Sequence, residues 1–369
     1  MLYEKLLKRE IPIKIGNVGI GSVGQGIMYQ ASITQGIECP AIADIDLQKA
    51  INAAERFKFP YRIVENQTEM DEAVEAGKLA ICEDASLVAK CPHLDVLFDC
   101  SSAVGETSNF DPVAIENGKH LIMMNTEADL MYGPYYDKLA RENGLIYTSS
   151  DGDQPAIIKK LIDEITFWGF EPVMGGNIKG YMDMYTNPEL IIPEADKRGL
   201  DYEMCTSYTD GTKLCVEMAI VANALNYGIA RPGMIGPRME TIREIEGHFD
   251  FESIHREHGP VVDYILGARP KGGVFCIGYT EKPFQQETLA WLPSEMGKGP
   301  YYYFYRPYHL THFESMVCVA ETVINKRSML RPEYGLKTNV YTYAKTDLQA
   351  GDIIDGFGGF KTYGLIEKC

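Results

Sequence analysis

The sequence predicts an α/β protein, with a doubly wound parallel sheet first, an α+β region next and a small β segment last. Apolar, strand-like runs alternate with helix-like runs throughout residues 13–150, and this alternation is typical of parallel strands covered by helices. A glycine motif joins the first of these strands to the first helix. Beyond residue 155 the alternation stops, and a long amphipathic helix is followed by short apolar runs separated by Gly and Pro. The architecture therefore changes at about that point.

The first strand, the first helix and the second strand form a nucleotide-binding pattern. A strand is predicted over 13–18, a helix follows, and a second strand over 40–43 ends on Asp44. The sequence G-x-G-x-x-G stands between the first strand and the helix, which is the context that a Rossmann dinucleotide-binding unit requires. In such a unit the glycines permit a tight turn, approach of the pyrophosphate and close helix packing. We expect this loop to bind the cofactor through Gly19, Gly21, Ser22, Val23 and Gly24.

Asp44 is the candidate ribose ligand. A carboxylate at the end of the second strand can accept hydrogen bonds from the ribose hydroxyls, which favours NAD. Asp46 adds negative charge where the 2′-phosphate of NADP would lie. The cofactor is therefore expected to be NAD or NADP, with NAD favoured. A glycine-rich turn without any cofactor is the alternative interpretation.

The remaining elements of the first half follow from apolar periodicity and from Gly and Pro positions. Helices are predicted over 1–10, 47–58, 69–77, 83–91, 112–118 and 134–143. Strands are predicted over 61–64, 78–82, 95–100, 119–124 and 145–148.

Polar residues follow the later strands of the predicted sheet. The carboxyl ends of parallel strands meet at one edge of a sheet, and a dinucleotide lies along that edge. Polar residues also follow parallel strands for purely structural reasons, so that alternative stays open. We expect Ser101, Ser102, Asn125, Thr126 and Gly152 to border the cofactor, and Glu127 and Asp153 to orient the substrate.

Two lysines of the second half are candidate substrate ligands. Lys213 lies on a largely apolar helix predicted over 210–227, where a lowered pKa would suit a proton donor, and Asp210 would tune it. The alternative is a lysine that reaches water or pairs with Glu217, one helical turn away. Lys179, beside a glycine in a predicted strand, would orient an anionic substrate group or else be an ordinary exposed residue.

The aromatic run 301–313 contains one arginine and two histidines, and it is consistent with either a substrate lid or a core segment. His309, His312 and Glu314 have no compact ligand spacing, so no metal site is predicted.

Composition excludes several classes of partner. The net charge of −17 disfavours nucleic acid and anionic membranes, because phosphate binding needs a positive surface. None of the nine cysteines forms a C-x-x-C pair, and several have apolar neighbours, which suits reduced thiols in a cytoplasmic protein. No apolar run approaches the roughly 20 residues that span a bilayer. We therefore expect a cytoplasmic enzyme with a small-molecule substrate.

Several segments carry a resemblance to a known family. The Asn125–Asp129 turn, the Asp151–Pro155 loop and the helix that begins DGTK resemble homoserine dehydrogenase. The segments GNIKGYMDMYTNPE, TDGTKLCVEMAIVANA, GGVFCIGY and YRPYHLTHFE, and the ending YAKTDLQAGDIIDGFGGFKTYGLIE, are similar to homoserine dehydrogenase-like proteins with a C-terminal SAF domain. That group includes the deoxyxylulose phosphate reductoisomerase-like enzyme, DRL. The resemblance covers nearly the whole chain.

The resemblance implies an NAD(P)-dependent oxidoreductase that forms a homo-oligomer. It implies a Rossmann domain over 1–154, a substrate and dimerisation domain over 155–338, and a SAF-like β segment over 339–369. The expected reaction is hydride transfer between a nicotinamide and a small polyol, keto sugar or sugar phosphate, with or without isomerisation. Homoserine dehydrogenase and a non-catalytic NAD(P)-binding sensor or assembly protein are the alternatives.

Overall fold

A computed structural model describes residues 1–369 of the chain, and they form two compact units. The first unit contains Met1–Asp153 and Leu310–Arg331, and the second contains Gln154–His309 and Pro332–Cys369. Both units therefore combine segments that are distant in sequence. No helix is long and apolar enough to cross a lipid bilayer.

The first unit is built on a seven-stranded sheet in the order β3-β4-β2-β1-β5-β6-β7. All of its strand pairs are parallel. The order reverses between β1 and β5, so the carboxyl end of β1 lies at the switch point where ligands bind in open α/β sheets. The strands are β1 (Ile13–Val18), β2 (Ile37–Ala43), β3 (Tyr61–Ile63), β4 (Leu79–Cys82), β5 (Val96–Asp99), β6 (His120–Met123) and β7 (Tyr147–Ser149).

Helices cover both faces of this sheet, because its strands are apolar on both sides and bury both. They are α1 (Leu2–Leu7), α2 (Ser22–Ile33), α3 (Leu47–Phe57), α4 (Gln67–Glu75), α5 (Ala85–Lys90), α6 (Asp111–Glu116) and α7 (Thr126–Glu142). A short 3₁₀ turn, Glu106–Asn109, precedes α6.

The second unit contains a four-stranded mixed sheet in the order β11-β10-β8-β9 and a separate two-stranded sheet. In the larger sheet β8 pairs with β9 in parallel and with β10 antiparallel, while β10 and β11 are antiparallel. The strands are β8 (Glu171–Lys179), β9 (Val261–Leu266), β10 (Val274–Tyr279), β11 (Tyr301–Arg306), and the antiparallel pair β12 (Thr338–Ala344) and β13 (Thr362–Lys368).

One helix lies at the centre of the second unit. This helix, α11, packs against the long helix α8 and against both β12 and β13. It is apolar on nearly every face, and all of its residues except the last are buried, as expected for a helix enclosed by other elements. The later helices are α8 (Gln154–Phe167), α9 (Ile192–Arg198), α10 (Tyr202–Asp210), α11 (Thr212–Leu225), α12 (Phe251–His258), α13 (Pro283–Leu289), α14 (Pro293–Met296) and α15 (Thr311–Ala320).

The predicted fold class is confirmed, but the start of helix α7 differs from the expectation. Helix α7 begins at Thr126, whereas a start at Pro134 was expected, because the Asn125 side chain accepts a hydrogen bond from the Ala128 N–H and caps an earlier start. Pro134 lies within the helix. Helix α15 and the π-helical turn Glu321–Asn325 after it belong to the first unit. Residues 339–369 lie within the second unit.

Candidate functional site

The glycine loop after β1 has a distinct reason for each glycine. Gly19 has φ +85°, and a Cβ there would lie 2.5 Å from the Ser101 backbone nitrogen. A Cβ on Gly24 would lie 1.9 Å from the Gly19 carbonyl oxygen. A Cβ on Gly21 would meet no atom within 4 Å. Two glycines are thus required by packing, while the third faces open space.

The open space at Gly21 lies at the start of α2. Gly21 is the N-cap residue, no side chain caps the helix, and its first turn contains no acidic residue. Ser22 is exposed and Val23 is half-buried. The N-terminal N–H groups and the helix dipole therefore offer a site for phosphate oxygens.

The carboxylate of Asp44 is held beside this loop. Its Oδ2 accepts a hydrogen bond from the Ile20 backbone N–H at 2.6 Å, and its Oδ1 accepts one from the Asp46 N–H at 2.9 Å. Asp46 in turn caps α3 by accepting a hydrogen bond from the Gln48 N–H. Each carboxylate oxygen has two lone pairs, so Asp44 retains acceptor capacity for ribose hydroxyls. This geometry and the open helix N-terminus together support NAD or NADP as the cofactor.

Asp99, the last residue of β5, is a buried carboxyl group that the sequence analysis did not select. Its Oδ1 accepts a hydrogen bond from the Ser101 N–H at 2.8 Å. Burial raises the pKa of Asp99 to about 7, while hydrogen bonds from Ser101 and Asn125 act in the opposite direction. The Asp111 carboxyl group in α6 is also buried, and burial and the charge of Asp99 raise its pKa as well. An acidic residue at the end of an apolar strand was the sequence signal for Asp99.

Asn125 connects the ends of β5 and β6. Its Nδ2 donates to the Ser101 hydroxyl oxygen at 3.2 Å and to the Ala103 carbonyl oxygen, while its Oδ1 caps α7. These bonds give the buried Asn125 side chain a structural role at the carboxyl edge of the sheet. Ser102 is exposed there, whereas the buried Thr126 donates its hydroxyl hydrogen to Glu127 Oε2 at 3.2 Å.

At the end of β7, where the loop with Gly152 and Asp153 begins, two backbone segments lie close together. Gly152 has φ +86°, and a Cβ there would lie 2.3 Å from the Thr311 carbonyl oxygen at the start of α15. Close approach of backbone thus explains why residue 152 is a glycine, and its expected place beside the cofactor stays a prediction. Asp153 is half-buried, and its charge contributes to raising the pKa of the buried Asp129 to about 6, for which burial is the main cause.

The second unit contains a cluster of charged residues around the end of β8. Asn177 Nδ2 donates to Glu217 Oε2 at 3.3 Å, which joins β8 to α11. Burial lowers the pKa of Lys179, while the carboxylates of Glu217 and Asp210 act against this change. Lys213, on the same helix as Glu217, is 7% exposed and lowers the pKa of Lys179 further. Two carboxylates and a second lysine therefore act on the charge of Lys179 within this unit.

Asp210 has a partner that sequence analysis did not identify. Its Oδ2 lies 2.8 Å from Lys345 Nζ, and its Oδ1 accepts a hydrogen bond from the Thr212 N–H at 2.8 Å. Asp210 was expected to tune Lys213, which stays a prediction, and the structure gives Asp210 a direct ion pair with Lys345. The two residues are 135 positions apart, so no local pattern could have connected them.

Residues 152–315 match a family model described as the catalytic domain of the oxidoreductase DRL. This match confirms the prediction of an oxidoreductase. It includes Lys179, Asp210, Lys213 and Glu217. No curated protein matches the sequence.

Solved structures with a similar fold are distant in sequence. Apo scyllo-inositol dehydrogenase from Lactobacillus casei is 13% identical with a TM-score of 0.50, over 89% of this chain and 93% of that chain. A probable dehydrogenase from Thermotoga maritima is 12% identical with a TM-score of 0.46, over 73% and 74% of the two chains. A homoserine dehydrogenase from Thiobacillus denitrificans is 21% identical with a TM-score of 0.42, over 58% and 49%. The first of these supports the fold class.

Proposed function

We propose that the chain is an NAD(P)-dependent oxidoreductase that transfers a hydride between the nicotinamide and a small polyol, keto sugar or sugar phosphate, with or without isomerisation. The observation that carries the proposal is the uncapped helix N-terminus at Gly21 beside Asp44, in a chain whose residues 152–315 match an oxidoreductase catalytic domain. The bound nicotinamide would supply or accept the hydride.

The cofactor is proposed to bind the first unit. The first N–H groups of α2 would donate to the pyrophosphate, and Asp44 would accept from the ribose hydroxyls, which favours NAD. The proposed cofactor residues are Gly19, Gly21, Ser22, Val23, Gly24, Asp44, Ser101, Ser102, Asn125, Thr126 and Gly152. Ser101 and Asn125 would contribute by holding the ends of β5 and β6 in place, since their side chains bond to each other.

Lys213 is proposed to donate a proton to the oxygen of the substrate carbonyl group. The carbon of the same carbonyl group would accept the hydride. Lys213 is buried on the largely apolar helix α11, and burial of a lysine disfavours its charged form, which suits proton transfer near neutral pH. Lys179 would bind an anionic or hydroxyl group of the substrate. Glu127 and Asp153 would orient the substrate. The position of Asp210, bonded to Lys345, supports an indirect role for this carboxylate.

Replacing Lys213 tests this function directly. The nicotinamide absorbance is followed with NAD and with NADP across polyols, keto sugars, sugar phosphates and homoserine. On the substrate that the wild type turns over, Lys213→Ala should lower kcat by about 10²–10⁴-fold, because a positioned proton donor is lost.

Lys197→Ala is the matched control, since Lys197 is an exposed lysine on α9 within the same matched residues. It should retain wild-type turnover. Full turnover by Lys213→Ala at saturating substrate would rule out the proposed proton donor. Cofactor binding measured by calorimetry, with no turnover of any compound, would favour a sensor, and turnover of homoserine alone would favour homoserine dehydrogenase.

A further inference from the structure

Four segments of the second unit meet at the ammonium group of Lys345. This residue follows β12, and its side chain is 1% exposed. Its Nζ donates to Asp210 Oδ2 at 2.8 Å, to the Thr186 carbonyl oxygen at 2.8 Å and to the Gly359 carbonyl oxygen at 2.9 Å. An ammonium group has three N–H donors, so each one has a partner. Lys345 is therefore fully bonded inside the protein.

The bond from Lys345 to Asp210 helps to fix the position of the first turn of α11. Asp210 ends α10, and Gly211, with φ +94°, makes the turn into α11. The second oxygen of Asp210 accepts from the Thr212 N–H, and the Thr212 hydroxyl oxygen accepts from the Gly364 N–H at 2.8 Å. Lys213 is the next residue, so its backbone position depends on this set of bonds.

The bond from Lys345 to the Thr186 carbonyl oxygen attaches Lys345 to the segment that follows β8. The Asp183 N–H in this segment donates to the Thr209 carbonyl oxygen at 2.8 Å, which attaches it to the end of α10. Lys179 is the last residue of β8. Lys345 thus connects the chain that leaves Lys179 with the turn that precedes Lys213.

We propose that Lys345 and Asp210 are a positioning pair for the two lysines of the substrate site. The pair holds the start of α11, and the Lys345 ammonium offsets part of the charge that Asp210 exerts on Lys179. The inference rests on the proposed function for its link to substrate. Its physical content, the control of the charge at Lys179, can be measured without substrate or cofactor.

Four charged groups act on the protonation of Lys179. The carboxylates of Glu217 and Asp210 favour its protonated form, whereas the cations of Lys213 and Arg198 disfavour it. Removing the Lys345 cation leaves the Asp210 anion unbalanced, which favours protonated Lys179. Removing the Asp210 anion leaves the Lys345 cation unbalanced, which favours neutral Lys179. A pair that acted only as a structural support would not produce opposite shifts.

Competitive labelling of lysines with acetic anhydride, followed by peptide mass spectrometry, gives the pH midpoint of Lys179 in the full-length protein. We expect Lys345→Met to raise this midpoint by about one pH unit and Asp210→Asn to lower it by a similar amount. The double variant, Lys345→Met with Asp210→Asn, should return close to the wild-type midpoint. Lys368→Met removes an exposed lysine of the same C-terminal segment and should leave the midpoint unchanged.

Circular dichroism checks that each variant is folded. Shifts of the same sign in both single variants, or no shift in either, overturn the proposal. Should Lys345→Met fail to fold, Asp210→Asn carries the test alone, because the amide keeps the acceptor for the Thr212 N–H, and a midpoint that stays or rises then overturns it. A correct pair of shifts combined with an unaffected Lys213→Ala enzyme would leave the pair in place and reject the catalytic role of Lys213.

Discussion

The glycine loop of the first unit and the charged cluster of the second unit, which contains Lys179, Asp210, Lys213 and Glu217, are assembled in different ways. The loop is a continuous stretch, 19–24, whose geometry follows from glycines a few residues apart. The cluster joins Asn177 to Glu217, 40 residues apart, and Asp210 to Lys345, 135 residues apart. One site is local in sequence, and the other exists only after the second unit has folded.

This difference determines how each region tolerates change. In the loop, the required atoms are backbone N–H groups, so side chains matter mainly where they would occupy space. In the cluster, charges are removed from water and each depends on its partner, so loss of one partner leaves the other buried and unpaired. We therefore expect the largest effect on stability in the second unit.

Lys345→Met provides the strongest test of this comparison. The substitution leaves the Asp210 carboxylate, whose side chain is 0% exposed, without its cation. Breaking a buried ion pair in this way typically costs about 3–5 kcal/mol. Urea unfolding should show a loss of that size, and hydrogen exchange should rise at the first turn of α11.

Lys368→Met again serves as the control and should remain close to the wild type. Replacing both partners, Lys345→Met with Asp210→Leu, should recover part of the lost stability because no charge is left buried. A loss under about 1 kcal/mol in the single variant would show that the pair is much more weakly coupled than its burial indicates.

Two alanine substitutions test the glycine loop with a smaller expected effect. At Gly24 a Cβ would lie 1.9 Å from a backbone oxygen, so Gly24→Ala should cost about 1–3 kcal/mol of stability. At Gly21 the space is open, so Gly21→Ala should be as stable as the wild type and yet bind NAD or NADP more weakly. Unfolding and calorimetry measure the two effects separately.

Gly77→Ala is not a suitable control, because Gly77 has φ +68°, whereas Gly105 has open space and an unstrained backbone. Gly105→Ala should preserve both stability and affinity. Undiminished affinity in Gly21→Ala would place the pyrophosphate elsewhere.

Much of the first unit could be predicted from sequence because its information is periodic and local. Seven apolar runs each became a strand within a few residues of the expected ends, and the motif at 19–24 lies where the first strand meets the first helix. Asp44 was located from the end of the second strand alone, and the structure places its carboxylate beside the loop.

The rest could not be predicted, because it depends on contacts between distant residues. Nothing near Gly152 in the sequence indicates that α15, about 160 residues later, would pack on it. Lys345 stands in an ordinary polar segment, and its burial follows only from the approach of Asp210, Thr186 and Gly359. Helix α7 began early because a single asparagine capped it.

Asp99 provides a test of whether the first unit also contains a buried titratable group that the glycine motif does not indicate. Burial raises the pKa of Asp99 from its ordinary 3.8 to about 7, so the folded protein holds a proton that the unfolded chain releases. This group therefore lowers stability as pH rises from about 4 to 7, and Asp99→Asn removes that dependence. Relative to the wild type, the free energy of unfolding of the variant should rise by about 1 kcal/mol per pH unit within this window, measured by urea unfolding at several pH values.

Glu116→Gln, at an exposed position on α6, is the control for the loss of one carboxyl group in general. A difference that is constant with pH would mean that Asp99 stays ionised in the folded protein, and that the hydrogen bonds from Ser101 and Asn125 outweigh its burial.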